Sequence, residues 1–326
     1  MFAEAIASIL KTHCTPATVR AIEGGASAQP LTAAIEEAGF LELLAPEERG
    51  GGGAGWRDFY DVVALCGAYA VPIPLAQTLA ARALIAGAAP AGLITFAPAL
   101  VRSADGALHA QQVPGGRLAA HVIGALGEDL LLLPAAQAQL LPSGVHGSLA
   151  ASFHWDAGAG RVLPGPARAA DLQPLAALLH AGLLAGALKR TFDLTMNYAN
   201  ERVQFGKPIG KFQAIQHQLS VMAEHVAAAG MAAEAAFATD APLPSPTACA
   251  VAKARASEAA QLVASIAHAV HGAIGITEEY DLQLFTRRLH EWRAAHGSEQ
   301  HWHRELGRLF VASKEPLAAD FIRTLC

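Results

Sequence analysis

The sequence predicts a mostly helical α+β chain in which a short β-rich segment separates two groups of helices. Long stretches with apolar residues at helical spacing lie at both ends, and short apolar runs between Gly and Pro turns lie in the middle. Hydrophobic residues make up 53% of the chain and aromatic residues only 6%, a mixture that favours helices packed closely through small side chains. We therefore expect a helical domain over 1–90, a β domain over 91–163 and a helical bundle over 164–326.

The N-terminal domain is predicted to hold four helices, because apolar residues recur every three or four positions in four stretches: 3–11, 31–39, 56–69 and 74–88. Between the second and third stretch, a glycine-rich segment over 45–53 is predicted to be a flexible turn.

The middle segment alternates short apolar runs (93–97, 120–123, 129–133 and 149–154) with Gly and Pro turns. This pattern predicts a small β-barrel or β-sandwich, followed by a linker at Pro164, Gly165 and Pro166. The uncharged run 83–101 is too interrupted by proline and glycine for a membrane span.

The last segment predicts four long helices, over 172–200, 212–239, 247–270 and 279–295, and a final helix over 298–312. Short connections between long helices are typical of antiparallel packing, so we expect a four-helix bundle.

Charge and cysteine usage restrict the class of protein. The net charge of -5 is mild and the basic residues are dispersed, which argues against a nucleic-acid partner. Cys14, Cys66, Cys249 and Cys326 lie far apart without metal-like spacing. Because the first residues also lack a basic leader pattern, we expect a cytoplasmic protein with reduced thiols and no membrane partner.

The most informative segment is 202–217, Arg-Val-Gln-Phe-Gly-Lys-Pro-Ile-Gly-Lys-Phe-Gln-Ala-Ile-Gln-His. It predicts a sharp loop that leads into a helix, and it resembles the signature loop of FAD-dependent acyl-CoA dehydrogenases, R-x-x-F-G-x-P-I-x-x-F-Q. The resemblance implies that Arg202 and Gln204 meet the FAD diphosphate and that Phe205 packs near the adenine. It also implies that Phe212 and Gln213 line the cofactor. The residues alone leave another interpretation open, in which Arg202 ends a helix and pairs with a local carboxylate such as Glu201 or Glu224.

A second motif, over 269–281, resembles the family string Q-V-H-G-G-I-G-F-T-x-E. The resemblance implies that His271, Gly272 and Gly275 also bind FAD. Among the departures from this string, the family's hydrogen-bonding glutamine is Ala269 here and its second glycine is Ala273. The segment 45–53 is a weaker match to a glycine loop of the family's N-terminal domain.

The order of helices, strands and bundle is also that of the acyl-CoA dehydrogenase family, so the resemblance covers the whole chain. It implies α,β-dehydrogenation of an acyl-CoA thioester with FAD, in fatty acid or steroid catabolism. It further implies a homo- or hetero-oligomer, dimer or tetramer, in which the signature loop reaches the FAD of a neighbouring chain.

The family's catalytic carboxylate is not found at either usual position. His296 stands at one, and the other falls near Ala176 in a segment without acids. The flavin-ring loop expected near 93–100 also lacks its acid and its serine. His296 is therefore a candidate base only because it occupies the position of the missing carboxylate.

A metal site is not expected among the clustered histidines. The spacing typical of metal ligands is not found in His290, His296, His301 and His303.

Three hypotheses remain open at the level of sequence. The first is a complete acyl-CoA dehydrogenase with a non-standard base, and the second is a subunit that lends FAD-binding residues to a catalytic partner. The third is a flavin-free scaffold or binding protein. The intact signature loop argues against the third hypothesis, and the missing base and the short β segment favour the second.

Overall fold

A computed structural model describes residues 2–165 and 167–323, and its order of helices, strands and helices is the predicted one. The first five helices are α1 (Phe2–His13), α2 (Pro16–Glu23), α3 (Gln29–Glu37), α4 (Trp56–Ala68) and α5 (Leu75–Leu84). The sequence analysis missed α2. Its start is nevertheless well marked, because the Thr15 hydroxyl accepts a hydrogen bond from the Thr18 N–H and Pro16 occupies the first helical position.

The glycine-rich segment over 45–53 is tightly folded, contrary to the expectation of a flexible turn. The Gly52 N–H donates to the Glu42 carbonyl and the Gly53 N–H donates to the Ala45 carbonyl, both at 2.9 Å. A Cβ atom on Gly51 would lie 2.1 Å from the Ala45 carbonyl oxygen, so only glycine fits there.

The middle of the chain forms two four-stranded sheets. The strands are β1 (Ile94–Ala97), β2 (Val101–Arg102), β3 (Leu108–Val113), β4 (His121–Leu126), β5 (Asp129–Pro134), β6 (Ala138–Pro142), β7 (Ala151–Trp155) and β8 (Arg161–Val162). One sheet has the order β1-β4-β5-β8, with β1 parallel to β4, and the other has the order β2-β3-β7-β6. Side chains from both sheets share one apolar core that includes Val122, Leu133, Phe153 and Trp155. Within the described residues the sheets do not join into a closed barrel, so of the two predicted forms the sandwich is the one observed.

The C-terminal part is a bundle of long helices. It contains α6 (Ala169–Glu201), a two-residue hairpin of β9 (Val203–Gln204) and β10 (Lys207–Pro208), α7 (Gln213–Phe237), α8 (Pro246–His271), α9 (Leu282–Ala294), α10 (Glu299–Ala312) and α11 (Ala318–Arg323). Helix α6 is central, because it packs against α4, α7, α8 and α9. Of the predicted linker, Pro164 and Gly165 precede α6, whereas Pro166 lies outside the described residues.

The α4 and α6 backbones touch at two glycines. A Cβ atom on Gly186 of α6 would lie 1.7 Å from the Ala64 carbonyl oxygen, and one on Gly67 of α4 would lie 2.0 Å from the Leu183 carbonyl oxygen. Since neither position has space for a methyl group, glycine is required on both sides of this helix crossing.

Ion pairs tie α2 to α9 and to the turn before it. Glu23 pairs with Arg287 and with Arg288 at 2.8 Å, and Arg20 pairs with Asp281 at 2.8 Å. Burial lowers the pKa of Arg288, and the Glu23 carboxylate acts in the opposite direction.

Cys14, Cys66 and Cys249 are free and buried, and Cys326 lies outside the described residues. Burial raises the pKa of Cys14 and that of Cys249 to about 12, so these thiols stay protonated at neutral pH.

Two helical segments of the described chain, Ala169–Glu201 and Pro246–Ile276, are long and apolar enough to cross a membrane by length and composition alone. In the first, 83% of the apolar window is buried inside the protein, as expected of the central helix of a bundle.

Candidate cofactor-binding loops and the cavity beside the sandwich

The loop that carries the signature motif begins where α6 ends. Arg202 caps the helix, its N–H donating to the Tyr198 carbonyl at 2.8 Å. The chain then forms the β9–β10 hairpin, whose central residues Phe205 and Gly206 have φ angles of 51° and 81°. Two consecutive positive φ angles are those of a type I′ turn, which favours Asn-Gly and is strained for phenylalanine.

Phe205 is 92% exposed. Its ring touches Phe212 edge-on at a centroid distance of 6.2 Å, and the Lys207 ammonium lies 4.4 Å from the Phe212 ring centre. A large aromatic side chain held in a strained backbone and turned outward gains little within this chain beyond this edge contact with Phe212. Such a side chain is typical of a contact made with another molecule.

The Arg202 side chain is exposed and forms no hydrogen bond or ion pair with any described residue. The alternative interpretation, a pair with Glu201 or Glu224, is therefore not observed. Gln204 and Gln213 are exposed as well. Helix α7 begins at Gln213, so its first unpaired N–H groups and its positive dipole end lie on the same loop as the Arg202 guanidinium. Together they form an anion-binding arrangement suited to a diphosphate.

The second motif begins at the C-terminal end of α8. His271 is buried, and its Nδ1–H donates to the Ala267 carbonyl at 2.7 Å, which leaves Nε2 as a hydrogen-bond acceptor. That Nε2 atom is buried without a partner among the described residues, although a buried acceptor normally has one. Burial lowers the pKa of His271, so the ring is neutral at pH 7.

The two glycines of this motif have different reasons to be glycine. Gly272 has φ 63° and ψ −144°, a conformation open almost only to glycine, and its α-carbon faces free space. Gly275 is packed, because a Cβ atom there would lie 2.9 Å from the His271 Cβ. Of the two glycines that the resemblance assigned to FAD binding, Gly272 alone thus offers a bare backbone for a ligand to approach.

Tyr198 joins the two motifs, and the sequence analysis missed it. Its ring stacks on His271 at a centroid distance of 4.4 Å, and its hydroxyl donates to the His271 carbonyl at 3.3 Å. The only signal in the sequence was its position four residues before Arg202, one helical turn away.

His296 lies elsewhere, at the other end of α6. It borders a cavity of about 470 Å³ between the sandwich and the bundle. The cavity is lined by Phe96 and Ala97 at the end of β1, by Gln112 on β3, and by Gln173, Glu291 and His296 on the helical side. The Gln173 side chain donates to the His296 carbonyl at 3.4 Å. Gln173 and Tyr198 are separated by 25 residues of continuous helix, which is about 38 Å at the α-helical rise. The cavity and the two loops are therefore at opposite ends of the bundle.

His296 is poorly suited to remove a proton. Burial, the His180 ring 4.7 Å away and the Lys253 ammonium hold the pKa of His296 well below its usual range. A base with a depressed pKa is weak. His296 has a φ of 56° and lies in the turn between α9 and α10. Lys253 holds the backbone of this turn, because its Nζ donates to the Arg293 and Gly297 carbonyls at 2.8 and 2.9 Å.

Glu291 is the carboxylate that borders this cavity, and the sequence analysis missed it as well. It lies on α9 and accepts a short hydrogen bond from the Ser148 hydroxyl. No sequence signal distinguished Glu291 from other helical acids, because Ser148 belongs to a loop far away in the chain.

The described residues contain no group of three or more His, Cys, Asp and Glu side chains able to hold an ion.

Comparison with known proteins places these features in context. Residues 174–308 match the family model described as "Acyl-CoA dehydrogenase, C-terminal domain". Acyl-CoA dehydrogenase IpdE2 of Mycolicibacterium smegmatis is 34% identical over 316 residues, covering 91% of this chain and 92% of the relative. The protein of the same name from Mycobacterium tuberculosis is 34% identical over 311 residues, covering 92% and 91%.

Solved structures agree with the fold. The ChsE4-ChsE5 complex from Mycobacterium tuberculosis matches with a TM-score of 0.84 and 21% identity, covering 96% of this chain and 97% of the matched chain. The steroid ACAD variant Tcur3481-Tcur3483 matches with a TM-score of 0.82 and 25% identity, covering 95% and 96%. PigA, solved with FAD and proline, matches with a TM-score of 0.75 and 15% identity, covering 93% and 96%. The predicted cofactor, FAD, is thus one that this fold is known to hold.

Proposed function

Because this chain belongs to the acyl-CoA dehydrogenase family, we propose that it is the subunit of a heteromeric acyl-CoA dehydrogenase that lends FAD-binding residues to a catalytic partner. In this role Arg202 and the loops around it hold the diphosphate and adenine parts of an FAD. The flavin ring of that FAD lies in a catalytic partner chain.

The distance along α6 is the observation that carries the proposal. The loops lie about 38 Å from the cavity that borders the sandwich, taking the helical rise along α6. An FAD molecule is shorter than that even when fully extended. With the flavin ring at the cavity, one FAD cannot reach both places within one chain, so the loops serve an FAD whose ring lies in a neighbouring chain. The missing carboxylate at both usual positions favours an unlike, catalytic neighbour over a second copy of this chain.

The residues of the loops suit the cofactor. The unpaired Arg202 guanidinium and the first N–H groups of α7 suit a diphosphate, and the exposed Phe205 ring suits a flat purine. The buried, unpaired Nε2 of His271 suits an N–H or O–H donor. Ala269 lacks the amide of the family's glutamine, so His271 and Arg202 carry more of the binding.

FAD, when bound, accepts a hydride from the β-carbon of the acyl thioester while a carboxylate takes the α-proton. The part of this work that falls to the chain is to hold the cofactor. The proton is left to the partner, because His296 is a weak base and Glu291 is engaged by Ser148.

The names of the relatives suggest the substrate class. Tcur3481-Tcur3483 is a steroid ACAD, and its name, like that of the ChsE4-ChsE5 complex, joins two different proteins. We extend both features to this chain as part of the proposal: a bulky, steroid-type acyl-CoA as substrate and an unlike dehydrogenase chain as partner.

One observation favours a second candidate, a complete homo-oligomeric enzyme. The cavity of about 470 Å³ is large enough for a small ligand and is bordered by one carboxylate, Glu291. In that case each copy would supply loops to its neighbour and a base to itself.

Expression of the chain alone and together with each candidate dehydrogenase partner separates these cases. The visible flavin spectrum of the purified protein is the measurement. We expect colour only on co-expression. Yellow, active protein from the chain alone would support the homo-oligomer, and a colourless complex with every partner would support a flavin-free scaffold.

A further inference from the structure

Two histidines face each other on the outer surface of the sandwich, and neither lines the cavity or belongs to the cofactor loops described above. His109 on β3 and His154 on β7 are register partners in the antiparallel ladder, and both rings are half-buried. Their Nδ1 atoms are 3.1 Å apart.

The separation of the nitrogens matches two ligands of one metal ion. At a Zn–N distance of about 2.0–2.1 Å, two imidazole nitrogens lie about 3.3 Å apart in tetrahedral geometry and about 2.9 Å apart at a right angle. The observed 3.1 Å falls between these values. The centroids of the two imidazole rings are only 4.4 Å apart, which is less than in a pair whose rings point straight at each other through their nitrogens. The ring planes are inclined to each other by 71°.

The tautomer of His109 is set by its other nitrogen. The Ser103 hydroxyl donates to the Asp105 carboxylate at 2.6 Å or to the Ala107 carbonyl at 3.1 Å. Its oxygen is then the acceptor for the His109 Nε2–H at 3.3 Å. His109 therefore presents a lone pair on Nδ1. A histidine that donates its second ring nitrogen to a hydroxyl backed by a carboxylate has the outer-shell support usual for metal ligands.

We propose that His109 and His154 form a binding site for a divalent transition metal ion of the Zn²⁺ class. Imidazole nitrogen suits Zn²⁺, Cu²⁺ and Ni²⁺, whereas Mg²⁺ and Ca²⁺ require oxygen ligands. Water fills the positions that the protein leaves open, and the exposed Gln139, opposite His154 on β6, offers an amide oxygen at the same row of the sheet. Two imidazoles and water are therefore enough to complete the coordination of the ion. The site is independent of the proposed flavin role.

Without an ion, the same pair forms a hydrogen bond in which His154 Nδ1–H donates to His109 Nδ1. Ion binding then requires only that the proton of His154 move to Nε2, where no described residue competes for it.

The test is a titration of the purified, tag-free and chelator-treated chain with ZnCl₂, followed by calorimetry and by the ¹H–¹⁵N spectra of the imidazoles. We expect one ion per chain, with shifts confined to His109 and His154. The one-to-one binding phase of the titration should be abolished by either substitution, His109→Gln or His154→Gln. Ser103→Ala should weaken it about 10-fold, within the range for lost outer-shell support.

His303→Gln, which alters an exposed histidine on α10, is the matched control and should bind like the parent. Thermal unfolding of each variant establishes that it is folded. Absence of a stoichiometric phase in the folded parent would overturn the site, and so would full retention of the phase in either His→Gln variant.

Discussion

The phenol ring of Tyr198 lies flat against the imidazole of His271, with 4.4 Å between the ring centres and 23° between the planes. Tyr198 is on α6 one turn before Arg202, and His271 ends α8, so this one contact sets the position of the signature loop relative to the second motif.

Replacement of Tyr198 tests that link. Tyr198→Phe keeps the stack and loses one hydrogen bond, so we expect a loss of about 1 kcal/mol in the free energy of unfolding and little change in flavin content. Tyr198→Ala removes the stack and should lower the FAD content of the assembled complex as well. The measurements are denaturant unfolding and the ratio of flavin to protein absorbance, and equal FAD content in the two variants would contradict the link.

Arg202 should act through its planar guanidinium. A hydrogen bond to a charged group contributes about 1.5–3 kcal/mol, so Arg202→Ala should weaken FAD retention in the complex about 10- to 100-fold. Arg202→Lys should fall between, because lysine offers a point charge without the two-pronged geometry. Arg57→Ala, on α4, removes an exposed arginine outside these loops and serves as the control. Unchanged FAD dissociation in Arg202→Ala would count against the assignment.

Phe205 should show opposite effects on stability and on binding. Asn-Gly is the preferred pair for a type I′ turn, and a non-glycine residue in the left-handed region costs about 1–2 kcal/mol. Phe205→Asn should therefore raise the unfolding free energy of the isolated chain by about 0.5–1 kcal/mol while it lowers FAD retention in the complex. Stability would be followed by urea unfolding and retention by gel filtration, and a variant that gained on both measures would refute a binding role.

Lys253 predicts an unusual dependence of stability on pH. Burial lowers the pKa of this lysine from its ordinary value to about 7 in the folded chain. Between pH 7 and the ordinary lysine pKa the unfolded chain binds more protons, so stability rises with pH there, by at most about 1.4 kcal/mol per pH unit. The rise begins near pH 7 and ends near the unfolded pKa.

Lys253→Met should flatten this rise, and the slope of unfolding free energy between pH 7 and 9.5 is the quantity to compare. The slope is the useful measure because the variant also leaves the Arg293 and Gly297 carbonyls without a donor, which lowers stability at every pH. A parent slope no steeper than that of the variant would show that Lys253 titrates normally.

The cavity residues should be dispensable for proton removal if the partner supplies the base. In the active complex, His296→Gln and Glu291→Gln should each change kcat by less than about 10-fold, whereas loss of a general base costs about 10²–10⁴-fold. Glutamine preserves the acceptor for Ser148, so Glu291→Gln should fold normally. A loss of several orders of magnitude in Glu291→Gln would instead favour the complete homo-oligomeric enzyme.

Local patterns predicted the long elements well and the short ones poorly. Helices α6, α7 and α8 are long enough for their apolar spacing to be read directly, whereas α2 has eight residues and shows itself only through Thr15 and Pro16. Strand β3 was missed because its ladder with β7 is irregular between Ala110 and Val113, and Gln112 has a φ of 49° there. An irregular ladder breaks the two-residue alternation on which strand prediction depends.

Features of the candidate sites that are local in the chain could be proposed from the sequence, whereas those made by residues far apart could not. The cofactor loops are continuous in sequence and were predicted residue by residue, but the contact that joins them was not, since Tyr198 and His271 are 73 positions apart. Lys253 lies on an alanine-rich helix and is fully buried, which the sequence analysis did not predict. Its partners are backbone carbonyls beyond α9, which a local pattern cannot indicate. His109 and His154 are likewise brought together only by strand pairing.

The crossing at Gly67 and Gly186 has a consequence for motion. At this crossing the α4 and α6 backbones are in direct contact, and no side chain lies between them that could rearrange. Sliding or rotation of one helix against the other would produce a clash. The N-terminal helices and the bundle should therefore move together as one rigid body. Contact of an adjoining chain with the tip of the Phe205 hairpin would then displace the N-terminal helices and the bundle together, without a local change of conformation at the crossing.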